Sequence, residues 1–463
     1  MPPTLPLPGP PMPAWLKHGL ASGIVFFCCW GGVIAYWRLH RSAPAAPDMA
    51  VYLLALPAAL LLLFWGAGKV VASRQPVPAA ASGTGPQRAG AVPAQAAPLA
   101  ILAAALRSPH GASVGELAAA LAANRTCAAL DPALVDADGF PVMTARSTEA
   151  HDDMLRADIG TWLRHKGMAA LQFSEDQWRA LTLASAVTSD LVMRATDELV
   201  DGDAVAPMLQ LMPLLPDDWQ AGQRRVAAMW LRHTAAQFGW PVDRICIDAA
   251  ASTDPAPAAA FARLARSGDH PAPALALVVA CASHLSQQRV DDWAARGLLF
   301  SPSRPDGLIP GEGAAGLLVA NLAQARSIES MAYVLLDRIE ETRLDAAADA
   351  APLSTLLESV CGRAGVGSEE IAMVIGDAGR HPDRLLELTG FVGAALPRLD
   401  AAADVVRIGS GGGNCEAVPF MTGLALARYY TLEREASSLF ASNEDPYRRS
   451  VALVRSALSL PLK

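Results

Sequence analysis

The chain has 463 residues, of which 52% are hydrophobic and 18% charged, and its formal net charge is −8. A net negative charge without a long basic block argues against a nucleic-acid partner. The seven cysteines show no CxxC spacing, which indicates a reducing compartment and argues against structural zinc. We predict neither a metal nor a cofactor.

Two uncharged segments near the N-terminus predict a membrane anchor. Residues 19–37 and 50–68 contain no charged side chain, and each is long enough to cross a bilayer as a helix. Aromatic side chains that favour the membrane interface lie near the ends of these segments, namely Trp15, Tyr36, Trp37 and Trp65. We therefore predict a two-span anchor over residues 1–74. The alternatives are a cleaved signal peptide for the first segment and a buried core helix for the second.

The basic residues around the two segments predict their orientation. Four lie on the side of both chain ends and two lie in the intervening loop: Lys17, Lys69, Arg74 and Arg88, against Arg38 and Arg41. This bias favours a cytoplasmic main domain, and the opposite topology is the alternative. We predict that the membrane is the bacterial inner membrane. Residues 75–98, rich in Ala, Pro, Gly and Gln, predict a flexible linker before a globular domain over residues 99–463.

Apolar runs alternate with helical patterns along this domain. Helices are predicted over residues 101–123 (interrupted at 109–111), 153–169, 175–200, 217–238, 256–267, 353–364, 383–395 and 416–430. Strands are predicted over residues 244–248, 274–280, 317–320, 332–337, 371–375 and 404–408. Uninterrupted apolar strands separated by helices predict a mostly parallel sheet that is covered on both faces.

Residues 304–317 form the most distinctive motif, Arg-Pro-Asp-Gly-Leu-Ile-Pro-Gly-Glu-Gly-Ala-Ala-Gly-Leu. Its prolines and glycines predict a tight turn, and small residues then allow close packing of a strand. The stretch resembles the PGEGAA turn of β-ketoacyl synthases, which belong to the thiolase-like superfamily. The resemblance implies a layered α/β/α/β/α fold of two topologically similar halves, over about 99–300 and 301–463. It also implies a homodimer or a pseudo-heterodimer.

β-Ketoacyl synthases use one cysteine and two histidines, and the resemblance places all three positions on other residue types here. The nucleophile position falls on Ala250, and Ser252 matches the serine that follows the family's nucleophile. The two histidine positions fall on Asp377 and Asn414. Residues 285–463 contain a single histidine, His381, so no shift of the alignment supplies two imidazoles for condensation. We therefore expect no catalytic residues.

The resemblance also suggests which residues line the remaining cleft. The candidates are Ser252, Glu312, Asp377, Glu387, Ser410, Asn414, Cys415 and Glu416. Two alternatives are weighed beside them. The glycine run at residues 409–413 could bind phosphate through backbone amides, and Asp377 with Glu416 could form a carboxylate pair. Cys246 and Cys281 are predicted to be small buried thiols.

Two functions are considered. The leading hypothesis is a membrane-anchored, catalytically inactive ketosynthase-like protein that acts as a binding or adaptor module. Its protein partner is not identified by the sequence, and a type VI secretion or other envelope system is one setting considered. The alternative is an enzyme acting on acyl thioesters through substituted groups such as Asp377, Asn414 and Cys415.

Overall fold

The computed structural model describes residues 97–200, 206–248, 256–267, 275–328, 330–344, 352–379 and 381–457. The predicted membrane spans, 19–37 and 50–68, and residues 75–96 of the predicted linker lie outside these ranges. Within them, no helix has both the length and the apolar character needed to cross a bilayer.

The described residues form strands and helices that fall into two halves. The strands of the first half are β1 (Leu99–Arg107), β2 (Ala129–Val135), β3 (Pro141–Thr144), β4 (Leu209–Leu214), β5 (Ile245–Ile247), β6 (Leu275–Ser283) and β7 (Glu312–Asn321). Its helices are α1 (Val114–Ala122), α2 (Asp153–His165), α3 (Glu175–Leu199), α4 (Ala221–Gln237), α5 (Pro257–Ser267), α6 (Gln287–Ala295) and α7 (Leu322–Ser327). The strands of the second half are β8 (Val334–Leu336), β9 (Glu340–Arg343), β10 (Ile371–Gly376), β11 (Val405–Arg407), β12 (Ser437–Ser442) and β13 (Arg448–Ser456). Its helices are α8 (Pro352–Ala364), α9 (Pro382–Ala395), α10 (Gly409–Gly412) and α11 (Val418–Arg434).

The two halves share one strand order. Hydrogen bonding runs β5-β4-β6-β7-β1 in the first half and β11-β10-β12-β13-β8 in the second. In each half the fourth strand of this order, β7 or β13, runs antiparallel to both neighbours. The sheet is therefore mixed rather than mostly parallel as predicted. The halves were predicted to meet between residues 300 and 301, so β7 was placed in the second half. Its pairing with β6 and β1 shows that it belongs to the first half.

Three large apolar cores lie between the helices and the sheet. One core lies between the first half of the sheet and the outer helices α2, α3 and α4. A second lies between the other half of the sheet and α8 and α9. The third contains side chains from both halves of the sheet together with α1, α5 and α11. This succession of helices and sheets confirms the predicted α/β/α/β/α fold of two similar halves.

The predicted helix over residues 101–123 is wrong in its first part. Residues 99–107 form β1, which pairs with β7 on one side and β8 on the other. Its alanines favour a helix intrinsically, but this segment is the strand at which the two halves join, and eight of its nine residues are buried. Tertiary burial therefore overrides helix propensity here.

The central helix α11 gives a test of layer packing. A methyl group added at Gly423 would overlap the ring of Phe440 on β12. Gly423→Ala is therefore expected to lower the free energy of unfolding by about 1–2 kcal/mol. Gly393→Ala is the matched control on the outer helix α9, where an added methyl meets no atom within 4 Å. It should raise the free energy of unfolding by about 0.5–1 kcal/mol. Urea unfolding measures both, and equal effects would contradict the central packing of α11.

Candidate functional site

Except for Glu312 and Glu387, the predicted site residues lie on segments that follow the parallel strands in the chain. Asp377 follows β10, and residues 409–416 (the 409–416 loop) follow β11. Such segments collect at the carboxyl edge of a sheet, where ligands commonly bind. The segment after β5, which carries Ala250 and Ser252, lies outside the described residues. Ser410 belongs to the short helix α10 within the loop.

The 409–416 loop, which belongs to the second half, packs on the first half of the domain. The backbone N–H of Asn414 donates a hydrogen bond to the carbonyl oxygen of Ile309 at 2.8 Å. A side chain at Gly311 would overlap the carbonyl oxygen of Gly412, and Gly413 has a φ of +64°. Both glycines are thus required by close backbone packing and backbone geometry. This packing accounts for glycines in the motif at residues 304–317 and in the run at residues 409–413, for which phosphate binding was the alternative.

Glu312 is buried at the start of β7 and is fully engaged by protein donors. Arg179 on α3 donates to its two carboxylate oxygens at 2.8 and 2.5 Å. The backbone N–H of Ser147 and the hydroxyl of Ser283 donate at 2.8 and 3.0 Å. The residue is 1% exposed. The carboxylate therefore ties β7 to α3 and to the end of β6.

Asp377 is also buried, and its partners lie at the end of β12 and in the turn that follows it. Its carboxylate accepts hydrogen bonds from the Ser442 hydroxyl at 2.5 Å and from the backbone N–H of Asn443 at 2.8 Å. Burial raises the pKa of Asp377 from 3.8 to about 6, although these hydrogen bonds act in the opposite direction. The carboxyl group of Asp377 is thus held by residues of its own half of the domain.

Glu387 belongs to the same polar network. Arg449, which is 1% exposed, donates to it at 2.6 Å, and the Asn443 side chain donates to it at 3.1 Å. Asn443 therefore connects Glu387 with Asp377. Glu416 has different neighbours, since it lies 3.7 Å from His284 of the first half. Among the described contacts, Asp377 and Glu416 do not form the carboxylate pair considered from the sequence.

The pH dependence of stability tests the burial of Asp377. A carboxyl group whose pKa is raised on folding binds its proton more tightly in the folded state. Its contribution to the free energy of unfolding is therefore fully present below pH 3.8 and is lost as pH rises towards about 6. The wild type should thus lose stability between pH 4 and pH 7, measured as a fall of the urea midpoint. Asp377→Asn should remove the part of this fall that Asp377 causes. Asp383→Asn, at a side chain 80% exposed on α9, is the control. A wild-type slope in Asp377→Asn would contradict the assignment.

The cysteines of the site are poor nucleophiles where they are buried. Burial, with Glu312 nearby, raises the pKa of Cys415 well above its usual value. Burial raises the pKa of Cys281 to about 12. Neutral thiols react slowly, because the thiolate is the nucleophile. The predicted burial of Cys281 is confirmed, but Cys246 lies exposed on the edge strand β5, so the prediction for it is wrong.

A cavity with about 490 Å³ of empty space, part of it open to solvent, borders the 409–416 loop. Its wall includes Arg107 at the end of β1, Ser108 and His110 after it, Leu117 and Leu121 of α1, and Val418 of α11. His110 Nε2 lies 2.9 Å from the carbonyl oxygen of Gly411. Glu312 and Cys415 also border the cavity, whereas Asp377, Glu387, Asn414 and Glu416 do not. The segment after β1 was not included in the candidate site predicted from the sequence. The one sequence feature that could have indicated it is the interruption of the helical pattern at residues 109–111.

The repeated strand order and the five layers define the thiolase-like fold. No family model matches the chain, and no curated protein matches it. Solved structures do match, and ketosynthase domains are among them. A mutant of the ketosynthase from module 6 of the bacillaene synthase from Bacillus subtilis 168 has a TM-score of 0.52 at 15% identity, over 79% of this chain and 73% of that chain.

Two further ketosynthases give similar values. The oxazolomycin ketosynthase domain OzmH KS7 from Streptomyces albus JA3453 has a TM-score of 0.52 at 13% identity, over 79% of this chain and 76% of that chain. The ketosynthase from module 1 of the bacillaene synthase from Bacillus amyloliquefaciens FZB42 has a TM-score of 0.50 at 12% identity, again over 79% and 76%. The chain therefore has the thiolase-like fold of ketosynthase domains, and the fold implied by the sequence motif is confirmed.

Proposed function

We propose that this chain is a catalytically inactive ketosynthase-like protein that works as a binding or adaptor module at the bacterial inner membrane. The observation that carries the proposal is the burial of Asp377, the residue that the sequence resemblance assigns to the position of a catalytic histidine. Its carboxylate is buried and is held by Ser442 and Asn443 of the adjacent turn. A group so engaged supports the fold and is not free for a substrate.

The remaining groups needed for condensation support the same conclusion. Ketosynthase chemistry needs a thiol nucleophile and imidazoles that stabilise developing charge. Ala250 offers no nucleophile, and Asn414 offers no imidazole. The one histidine of residues 285–463, His381, lies at the start of α9 with its side chain 46% exposed. Cys415 could replace the lost thiol only as a thiolate, which its burial disfavours.

The membrane location and the partner are parts of this proposal. The two apolar N-terminal segments would hold the domain at the inner membrane, on the cytoplasmic side. A protein partner in a type VI secretion or other envelope system would be recruited there. Within the described residues β5 pairs with β4 alone, so its other edge has backbone groups for pairing with a second copy or a homologous chain. This edge supports a homodimer or a pseudo-heterodimer.

A turnover assay separates the adaptor from the alternative, an acyl-thioester-processing enzyme. The full chain, purified in detergent, is incubated with acyl-CoA and with acyl-carrier-protein thioesters. We expect no thiol release above the protein-free rate, and we expect one co-expressed envelope protein to co-purify stoichiometrically with both the wild type and Asp377→Asn. Turnover that is lost in Cys415→Ser or Cys246→Ser, but kept in the exposed control Cys127→Ser, would overturn the proposal.

A further inference from the structure

Glu416 is a contact between the two halves. It ends the 409–416 loop in the left-handed region, with a φ of +50°, which a non-glycine residue adopts only when its surroundings hold it there. Asp217, which follows β4, is one of the groups that act on the carboxylate of Glu416. Its Oε1 lies 3.7 Å from Nε2 of His284, which follows β6. Both of these residues belong to the first half.

The charged groups around Glu416 are mainly acidic. The carboxylates of Asp217 and Asp218 act on it from the segment after β4, and Asp176 lies at the start of α3. In the part of the chain that the structure describes, two arginines lie against these aspartates, and both already have carboxylate partners. Arg289 of α6 bonds Asp218 and lies 3.4 Å from Asp176, whereas Arg224 of α4 lies 3.7 Å from Asp217. An ionised Glu416 would therefore be a fourth carboxylate beside two guanidinium groups.

His284 does not supply the missing positive charge. The residue is 5% exposed, and its Nδ1 has no hydrogen-bond partner among the described residues. Burial, and to a lesser extent Arg289, lowers the pKa of His284 to about 4, so the ring is neutral near pH 7. The two nearby thiols, Cys281 and Cys415, are neutral as well because their pKa values are raised. An ionised Glu416 thus gains repulsion from the aspartates, and the described residues supply no free positive charge to offset it.

We propose that Glu416 is a pH-operated latch, which in its neutral form holds the 409–416 loop on the first half and on ionisation releases it. The side chain is 34% exposed, so its proton can pass to solvent. Release would uncover Cys415, whose sulfur lies 3.2 Å from the carbonyl oxygen of Gly412, and would widen the cavity beside the loop. This inference goes beyond the proposed function, because a latch can serve an adaptor or an enzyme.

The direction of the pH effect follows from the burial of Glu416. Burial, with the charges of Asp218 and Asp217, raises the pKa of Glu416 from 4.5 to about 7. The docked loop therefore binds the proton more tightly than the released loop. Docking is fully favoured below pH 4.5 and is progressively lost as pH rises to about 7 and through it.

Thiol labelling of the full chain tests the latch. The protein is treated briefly with N-ethylmaleimide between pH 5.5 and pH 8.5, and the modification of Cys415 is measured by peptide mass relative to that of exposed Cys127. The ratio cancels the ordinary increase of thiolate with pH. In the wild type it is expected to rise about tenfold from pH 6 to pH 8, since one ionisation favours release over that range. Glu416→Gln, which cannot ionise, should give a constant low ratio.

A second variant and a salt series test the latch even if the Glu416→Gln variant does not fold. Asp217→Asn removes one repulsive charge at a side chain that is 80% exposed. It should therefore reduce the rise of the Cys415 to Cys127 labelling ratio with pH. High salt should also reduce the rise, because it screens repulsion between partly exposed charges. A wild-type ratio that stays constant with pH would overturn the latch. So would a wild-type rise in a folded Glu416→Gln variant, or a rise unaffected by both salt and Asp217→Asn.

Discussion

Arg179→Met is expected to lower the free energy of unfolding by about 3–5 kcal/mol, because it leaves a buried carboxylate without its counter-charge. The side chains of Arg179 and Glu312 are 7% and 0% exposed. Methionine keeps much of the arginine's volume but donates no hydrogen bond, so Glu312 would retain only Ser147 and Ser283 as donors. Urea unfolding followed by far-UV circular dichroism measures the loss.

A surface ion pair provides the matched control for this prediction. Arg296 and Asp292 pair at 3.2 Å on α6, with side chains 62% and 52% exposed. Arg296→Met should cost only about 0.3–0.5 kcal/mol, because solvent screens an exposed pair. If Arg179→Met costs no more than Arg296→Met, then the ion pair does not anchor the start of β7.

Gly311→Ala is expected to lower the free energy of unfolding by about 3 kcal/mol and to loosen the 409–416 loop. The added methyl group would meet the carbonyl oxygen of Gly412, and a backbone group cannot rotate away as a side chain can. The loop must therefore shift, which weakens the hydrogen bond between Asn414 and Ile309. Urea unfolding and hydrogen exchange of residues 409–416 measure the two effects.

Gly412→Ala is the control for this substitution within the same loop. A methyl group at Gly412 meets no atom within 4 Å, and its φ is not in the left-handed region. The free energy of unfolding of this variant should stay within about 0.5 kcal/mol of the wild-type value. Equal destabilisation by the two variants would show that close approach at Gly311 is not what fixes the loop.

The fold could be predicted where a pattern is local, and the errors occur where distant parts of the chain decide the structure. All six predicted strands coincide with strands, because each is a short apolar run between helical patterns. β1 was predicted as helix because its alanines favour a helix in isolation. β13 was not predicted, because it begins with Arg448 and Arg449. The charge of Arg449 looks solvent-exposed in sequence, but Glu387 on α9 neutralises it inside the fold.

The candidate site divides in the same way. The motif around Glu312 is contiguous, so it could be recognised and its fold inferred. Its ion-pair partner Arg179 is 133 residues away, and the pairing depends on how α3 packs against β7. The contact of Glu416 with His284 likewise joins the two halves of the domain, and no local sequence pattern around either residue indicates it. Local chemistry was therefore predictable, whereas the partners that determine each group's charge state were not.

Intact-protein mass spectrometry tests most directly whether a ketosynthase fold is kept here without its condensation chemistry. The wild-type chain is incubated with an acyl-CoA thioester, and any acylated peptide is mapped. We predict no adduct at Cys246, Cys281 or Cys415 that forms faster than the background reaction of exposed Cys127. A faster, stoichiometric acyl adduct at one of these three cysteines, lost on its replacement by serine, would contradict the proposed function.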